Sequence, residues 1–339
     1  MSAGTVVVTG GSAGVGRASV EAFAQAGWDV GIIARGQRRL DATVAAVEGM
    51  GRRACAVSAD VADAGAVERA ADTIEHSLGP IDVWVNNAMA TVFGPVSSLT
   101  AEEFQRGTEV TYLGQVHGTM TALKRMRTRN RGTIVNVGSA LSYRAIPLQS
   151  IYCAAKYAVR GFTDALRSEL LHDGVAVHLT MVHLAAMNTP QFDWALNKMR
   201  HRPQPMPPIF SPEVAARAIL FAATHRRREV WVGFPTTKAI LAGRFAPGLV
   251  DRYLAWTGYS GQLTNEPASS NAPGNLFQSV AGNWGAEGRF VNRERHRSWQ
   301  MLATRHRVSV AGLLLAVGGL GIWCGLRFLP QTQRQRGSH

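Results

Sequence analysis

A tyrosine and a lysine four residues apart, Tyr152 and Lys156, stand in a helix-like stretch, so their side chains are predicted to share one face. Only four of the chain's 36 lysines and arginines are lysines, so a lysine at position 156 is not the basic residue that this chain usually carries. An ammonium beside a phenol lowers the phenol's pKa from about 10, and such a tyrosine exchanges a proton with a substrate oxygen. Ser139 ends a predicted strand upstream and can hydrogen-bond the same oxygen. The alternatives are a core aromatic for Tyr152 and a helix cap for Ser139.

A glycine-rich segment near the N terminus, TGGSAGVG at residues 9–16, lies between a strand-like run and a helix-like run. Glycines in such a turn let backbone N–H groups approach a pyrophosphate at the helix N-terminus. The alternative is a turn that binds nothing, and the strand–turn–helix context favours a dinucleotide site over it. The residues predicted to contact the dinucleotide here are Thr9, Gly10, Ser12, Gly14, Val15 and Gly16.

The end of the second predicted strand bears on the choice of dinucleotide. An acidic residue there would bind the 2′-hydroxyl of NAD(H). The strand instead ends at Arg35, followed by Arg38 and Arg39, and guanidinium groups suit the 2′-phosphate of NADP(H). NADP(H) is therefore favoured over NAD(H), with a solvated basic loop as the alternative. Asp60 and Val61 end the third strand, where the acid is expected to meet the adenine amine, with a surface aspartate as the alternative.

Short runs rich in β-branched residues alternate with longer helical patterns through residues 1–235. Seven runs are predicted strands: TVVVTG, DVGIIAR, RACAVSADV, IDVWVNNA, GTIVNVGS, AVHLTMV and EVWVG. Most are continuously apolar, as parallel strands buried on both faces are. Crossover helices are predicted at residues 14–27, 64–78 and 101–127. This order predicts an α/β fold of the Rossmann type, a doubly wound parallel sheet with helices on both faces.

Together these motifs resemble the short-chain dehydrogenase/reductase family, with its TGxxxGxG and YxxxK patterns, over about residues 4–235. The resemblance implies a triad in which Ser139 orients a carbonyl, Tyr152 is the acid/base and Lys156 also binds the nicotinamide ribose. It implies further cofactor contacts at Asn87 and Ala88, which match the family's NNAG motif, and at Thr189 near the nicotinamide carboxamide.

The chain departs from the family pattern at three points. Met89 stands where the NNAG motif has glycine, and HLAAMNT replaces the usual Pro-Gly after the sixth strand. Thr111 stands where the family has a helper asparagine that supports a water beside the lysine. Threonine has a hydroxyl but no amide, so the proton relay is expected to be altered there. Thr111 is nevertheless predicted to take part in catalysis.

The domain organisation follows from composition. Residues 1–257 are predicted to form the catalytic domain, in which a proline-rich stretch at about 187–212 corresponds to the family's substrate-binding lid. Residues 258–304 are rich in Gly, Asn, Ser and Pro and predict an irregular linker or wrap. Residues 308–326 carry no charge and would span about 28 Å as a helix. They predict a transmembrane helix within 305–329, followed by a short basic tail at 330–339.

The positive charge is concentrated at the C terminus. Of the net charge of +13, residues 289–339 contribute +8, from nine arginines and one glutamate. This favours binding to membrane lipid over nucleic acid, for which no module is present. The arginine bias around residues 308–326 predicts a single-pass C-terminal anchor with a cytoplasmic catalytic domain. A buried terminal helix and docking of the tail onto a membrane protein are the alternatives.

Three dispersed cysteines without a CxxC pair predict neither a disulfide framework nor a structural zinc, and no metal is expected. The function expected is that of a membrane-anchored NADP(H)-dependent oxidoreductase interconverting a secondary alcohol and a ketone. The anchor and the apolar lid favour a lipophilic substrate. The alternative is a non-catalytic NADP(H)-binding sensor or scaffold at the membrane. Homo-oligomerisation is left open.

Overall fold

The computed structural model describes residues 2–269 and 274–305. Its strands are β1 (Thr5–Thr9), β2 (Asp29–Ala34), β3 (Ala54–Ser58), β4 (Ile81–Asn86), β5 (Val92–Phe93), β6 (Thr133–Ser139), β7 (His178–Leu184), β8 (Leu196–Asn197), β9 (His201–Pro203), β10 (Ile209–Phe210), β11 (Glu229–Trp231), β12 (Leu263–Pro267) and β13 (Glu294–Arg295). Its α-helices are α1 (Gly14–Gln25), α2 (Gln37–Gly49), α3 (Ala64–Leu78), α4 (Ala101–Thr108), α5 (Gly114–Arg129), α6 (Ser150–His172), α7 (Gln191–Trp194), α8 (Pro212–Thr224), α9 (Phe234–Phe245), α10 (Pro247–Thr257) and α11 (Trp299–Arg305).

Seven strands form one parallel sheet in the order β11-β7-β6-β4-β1-β2-β3. The central strands are apolar on both faces, and Val6, Val7 and Val8 of β1 are fully buried. Two helical groups cover the sheet: α1 packs with α2 and α8, and α5 packs with α3 and α6. Strands buried on both faces need such a layer on each side. The predicted Rossmann-like α/β fold is confirmed.

The chain changes winding direction between β1 and β4, which are neighbours in the sheet. Open α/β sheets bind ligands at this switch point, outside the carboxyl ends of the strands. The glycine-rich turn follows β1, Asn87 follows β4, and Ser139 ends β6. The topology therefore brings the predicted cofactor and catalytic residues to one edge of the sheet.

The third predicted crossover helix is divided. The predicted helix at residues 101–127 is observed as α4, a π-helical turn at Glu109–Leu113, and α5. A capping box formed by Thr100 and Glu103 starts α4, and left-handed Asn130 ends α5. Single-turn π-helices are frequent at functional sites. This one carries Thr111.

The segment after residue 257 packs onto the predicted lid. Strand β12 pairs with β9 in antiparallel fashion, and β13 pairs with β10 in parallel fashion. The described residues up to Ser298 belong to one compact unit, and Trp299–Arg305 lie outside it. A domain division at residue 257 thus remains a prediction from composition, because the compact unit continues to Ser298.

The predicted membrane localisation is corrected by the structure. Among residues 2–269 and 274–305, no helix combines the length and apolarity that crossing a bilayer requires. Arg305, the first residue of the predicted span, is the last residue of α11. The rest of the span lies outside the described residues. The predicted single-pass localisation is therefore withdrawn, and binding to membrane lipid stays a prediction.

Candidate functional site

A cavity of about 790 Å³ follows the carboxyl edge of the sheet. It brings together most of the residues predicted for the cofactor and for catalysis. Those that line it are Gly10, Ser12, Gly14, Val15, Arg35, Asp60, Val61, Asn87, Ala88, Ser139, Tyr152, Lys156 and Thr189. Three predicted residues, Thr9, Gly16 and Thr111, lie outside its lining. Thr9 contacts Asn87 and Ala88, Gly16 packs against Gly10, and Thr111 bonds Ala90.

The glycine-rich turn after β1 is shaped by close backbone packing. Gly10 has φ +67°, and a Cβ added there would lie 2.9 Å from the Ala88 Cα. A Cβ added at Gly16 would lie 2.1 Å from the Gly10 carbonyl oxygen. Gly16 therefore serves the tight turn without lining the cavity. The turn leads into α1, whose N-terminus favours an anion through the helix dipole.

Threonine and asparagine side chains brace the turn against β4. The Thr9 hydroxyl accepts hydrogen bonds from the backbone N–H groups of Asn87, at 3.0 Å, and Ala88, at 3.2 Å. The Asn87 amide donates to the Thr9 carbonyl at 3.2 Å. Thr9 is buried, and its hydroxyl also donates to the Val85 carbonyl at 3.4 Å. Its predicted role in cofactor binding is therefore indirect, through the positions of Asn87 and Ala88.

The predicted triad lies together at the other end of the cavity. Ser139 caps a 3-10 turn by accepting a hydrogen bond from the Leu141 N–H at 3.1 Å, and it also bonds the Tyr152 hydroxyl. The cap and the site role are thus compatible. On α6, the Lys156 Nζ lies 5.5 Å from the Tyr152 ring centroid. Lys156 is buried, and its Nζ donates to the Val137 carbonyl at 2.6 Å.

The pKa values of this pair reverse one expectation. Burial raises the pKa of the Tyr152 hydroxyl well above its usual range, and the hydrogen bond with Ser139 offsets only part of this. Burial also lowers the pKa of Lys156 to about 7. The expected lowering of the phenol pKa is therefore wrong. Burial of the phenol is the largest effect on its pKa, and it outweighs the hydrogen bond with Ser139.

The Thr111 side chain is bonded to the backbone of Ala90. Its hydroxyl donates to the Ala90 carbonyl at 2.8 Å and accepts from the Ala90 N–H at 2.9 Å. A hydroxyl has one proton to donate, and that proton is used here. The hydroxyl therefore fixes the chain that follows β4 to the π-helical turn, and a catalytic role of Thr111 stays a prediction.

The adenosine end of the cavity is rich in charge. Asp60 pairs with Arg106 and lies 3.8 Å from Arg35. The Asp60 carboxylate also accepts the Ala62 N–H at 3.0 Å. The guanidinium of Arg35 donates to three backbone carbonyls in residues 275–277. Arg35 and Asp60 are thus brought to the predicted place, with partners that the motif alone does not indicate.

The chain matches a family model described as short chain dehydrogenase over residues 4–198, more than half of its length. It belongs to the short-chain dehydrogenase/reductase family. It is an oxidoreductase that acts on CH–OH groups and uses a nicotinamide cofactor, either NAD(H) or NADP(H). The predicted resemblance is confirmed.

Relatives extend the similarity beyond the catalytic motifs. The chain is 31% identical over 326 residues to the uncharacterized oxidoreductase YxnA of Bacillus subtilis, covering 95% of this chain and 90% of that one. It is 31% identical over 252 residues to the uncharacterized oxidoreductase Mb1570 of Mycobacterium bovis, covering 73% and 71%. It is 28% identical over 260 residues to the ketoacyl reductase HetN of Nostoc, covering 75% and 89%.

The residues of this short-chain dehydrogenase/reductase fit a nicotinamide dinucleotide. The glycine turn leaves no room for a Cβ at Gly10 or Gly16, as a close backbone approach to phosphate requires. One cavity joins this turn to the adenosine end at Arg35 and to Tyr152 and Lys156. The turn would hold the pyrophosphate, and Lys156 the nicotinamide ribose.

Two features of the site are not predicted from the sequence. One is residues 275–285, which reach Arg35 and the glycine turn. Apolar residues in this polar stretch, among them Leu276, Val280 and Trp284, are the signal in the sequence. The other lies behind Ser139, whose carbonyl is 3.2 Å from His183 Nδ1. Burial lowers the pKa of His183 to about 4, although Glu229 opposes this. No local motif signals that pairing.

Proposed function

We propose that this chain is an NADP(H)-dependent oxidoreductase that interconverts a secondary alcohol and a ketone on a lipophilic substrate. The observation that carries the proposal is the continuity of the cavity. It runs from the glycine turn past Ser139 and Tyr152 to an apolar wall formed by the lid and by α9 and α10. Cofactor, proton donor and apolar substrate would therefore meet in one space.

The chain's own residues supply the proton chemistry. When bound, the reduced nicotinamide supplies a hydride to the carbonyl carbon of the substrate. The raised pKa keeps Tyr152 protonated at neutral pH, so it can give its proton to the carbonyl oxygen. The Ser139 hydroxyl, which bonds the Tyr152 hydroxyl, would bond the same oxygen once a substrate is bound. With a pKa of about 7, Lys156 is partly charged and stabilises the phenolate that remains.

The end of β2 supports NADP(H) over NAD(H). The strand ends at Ala34 and is followed by Arg35 rather than by an acid. A guanidinium forms charge-assisted, bidentate bonds with a phosphate, whereas a carboxylate would favour the ribose 2′-hydroxyl. Arg35 and Arg39 both line the cavity at this end.

The opposite wall supports a lipophilic substrate. It is formed largely by apolar side chains of the lid and of α9 and α10. Among them are Met187, Met206, Phe234, Val250, Tyr253 and Leu254. Each methylene that leaves water for such a wall contributes about 0.8 kcal/mol. A long acyl or alkyl ketone is therefore expected to bind better than a short one.

The test is NADPH oxidation with a series of methyl ketones from butanone to 2-undecanone. We expect kcat/KM to rise at least tenfold along the series, because several methylenes enter the apolar wall. Leu254→Gln, which alters this wall, should abolish the rise. Leu171→Gln on the exposed side of α6 is the matched control and should keep it. Reduction confined to small polar ketones would contradict the lipophilic substrate, and binding of NADPH without any turnover would favour a sensor.

A further inference from the structure

Residues 275–285, here called the strap, lie on the groups expected to hold the dinucleotide's phosphates. The Arg35 guanidinium donates to the carbonyls of Asn275 at 2.5 Å, Phe277 at 3.2 Å and Leu276 at 3.3 Å. Both of its terminal nitrogens are used. The strap therefore occupies the Arg35 guanidinium, the group proposed to bind the 2′-phosphate.

The strap makes two more contacts of the same kind. Arg39 donates to the Val280 carbonyl, and the backbone N–H of Gly14 donates to the Gly285 carbonyl at 3.0 Å. Gly14 belongs to the turn expected to hold the pyrophosphate. Thus carbonyl oxygens, which carry partial negative charge, face three separate donors suited to phosphate oxygens.

One apolar side chain anchors the strap at the adenosine end. Leu276 is only 1% exposed and belongs to the buried apolar cluster that includes Val61 and Val110, whereas its neighbour Phe277 is 54% exposed. The Leu276 carbonyl also accepts from Arg106, which pairs with Asp60. The anchor therefore lies among the residues predicted to surround the adenine.

We propose that the strap is an internal occupant of the dinucleotide site, which the cofactor displaces when it binds. The strap supplies neutral carbonyl oxygens, whereas the cofactor supplies phosphates. A phosphate carries full negative charge and accepts bidentate bonds from a guanidinium, so it adds a charge–charge attraction that a neutral carbonyl lacks. Phosphate thus replaces carbonyl at Arg35 and Gly14, and the strap lowers the cofactor affinity of the chain. This inference rests on the proposed dinucleotide binding.

The first test uses hydrogen exchange in the full-length wild-type chain. Backbone amides of residues 275–285 are followed with and without saturating NADPH. Displacement predicts faster exchange in the strap when NADPH is bound, while the glycine turn becomes more protected. Unchanged or slower exchange in the strap with NADPH bound would overturn the proposal, because the strap would then stay in place over the cofactor.

The second test removes the anchor. Leu276→Ala is compared with Phe277→Ala, its exposed neighbour, and the dissociation constant for NADPH is measured by fluorescence titration. We expect Leu276→Ala to bind NADPH at least about tenfold more tightly than wild type and Phe277→Ala to stay within about twofold. Weaker or equal binding by Leu276→Ala would overturn the proposal, and wild-type hydrogen exchange still decides it if that variant does not fold.

The outcomes separate the two proposals. If NADPH binds and displaces the strap but no ketone is reduced, the proposed function falls and the strap proposal stands. If ketones are reduced while Leu276→Ala gains no affinity and strap exchange slows, only the strap proposal falls. If neither wild type nor Leu276→Ala binds NADPH or NADH, both fall.

Discussion

The Lys156 Nζ lies 5.5 Å from the centroid of the Tyr152 ring, with its hydrogen bond directed to the backbone of β6 at Val137. A buried amine in this position is expected to exchange its proton near neutral pH, because burial lowers its pKa to about 7. The same burial keeps the phenol protonated. Near neutral pH Tyr152 is thus the proton donor, and Lys156 is a neighbouring group whose charge changes with pH.

Replacing the buried amine should change how stability depends on pH. Between pH 7 and 10.5 the unfolded chain keeps the Lys156 proton while the folded chain releases it, so the wild type gains stability as pH rises. Relative to Lys156→Met, we expect the free energy of unfolding of wild type to rise by about 2 kcal/mol from pH 7 to pH 9. Urea unfolding of both chains measures this. A difference independent of pH would contradict the buried, titrating amine.

Two helical glycines should respond oppositely to alanine. A Cβ at Gly16 would lie 2.1 Å from the Gly10 carbonyl, whereas one at Gly161 in α6 meets nothing within 4 Å. We expect Gly16→Ala to destabilise the chain and weaken NADPH binding at least tenfold, because the turn must open. Gly161→Ala should stabilise the chain by about 0.5–1 kcal/mol. Thermal unfolding and NADPH titration test both, and a Gly16→Ala chain with wild-type affinity would refute the tight-turn argument.

Arg35 should decide between the two dinucleotides. We expect Arg35→Ala to weaken NADPH binding at least about tenfold, because a charge-assisted contact to the 2′-phosphate is lost. NADH binding should not weaken, because NADH lacks that phosphate. Titrating both cofactors against one variant provides the internal control. Equal losses for both cofactors would show that Arg35 acts on the fold of the site and not on the 2′-phosphate.

The sheet and the site motifs were accessible from sequence because their signals are local. The five residues of β1 are buried and continuously strand-like, and α3 begins and ends where its helical pattern does. The four-residue spacing of Tyr152 and Lys156 fixes them on one turn of α6 whatever surrounds them. Hence the fold class and most of the predicted cofactor and catalytic residues that line the cavity follow from short stretches of chain.

The remainder depends on partners distant in the chain. The hydroxyl of Thr111 is visible in the sequence, but its use by the Ala90 backbone is not. The carbonyls that meet Arg35 come from residues more than two hundred positions away, in a segment whose composition predicts a linker. The pKa of Tyr152 likewise follows from burial, which no spacing reveals.

Turnover by Tyr152→Phe with NADPH and a long-chain ketone shows most directly whether Tyr152 is the proton donor. Tyr157→Phe is the matched control, because Tyr157 lies on the same helix and is exposed. If Tyr152 supplies the proton, kcat of Tyr152→Phe falls at least about a hundredfold while its NADPH dissociation constant stays near that of wild type. Tyr157→Phe keeps wild-type turnover. A wild-type kcat in Tyr152→Phe would show that Tyr152 is not the proton donor.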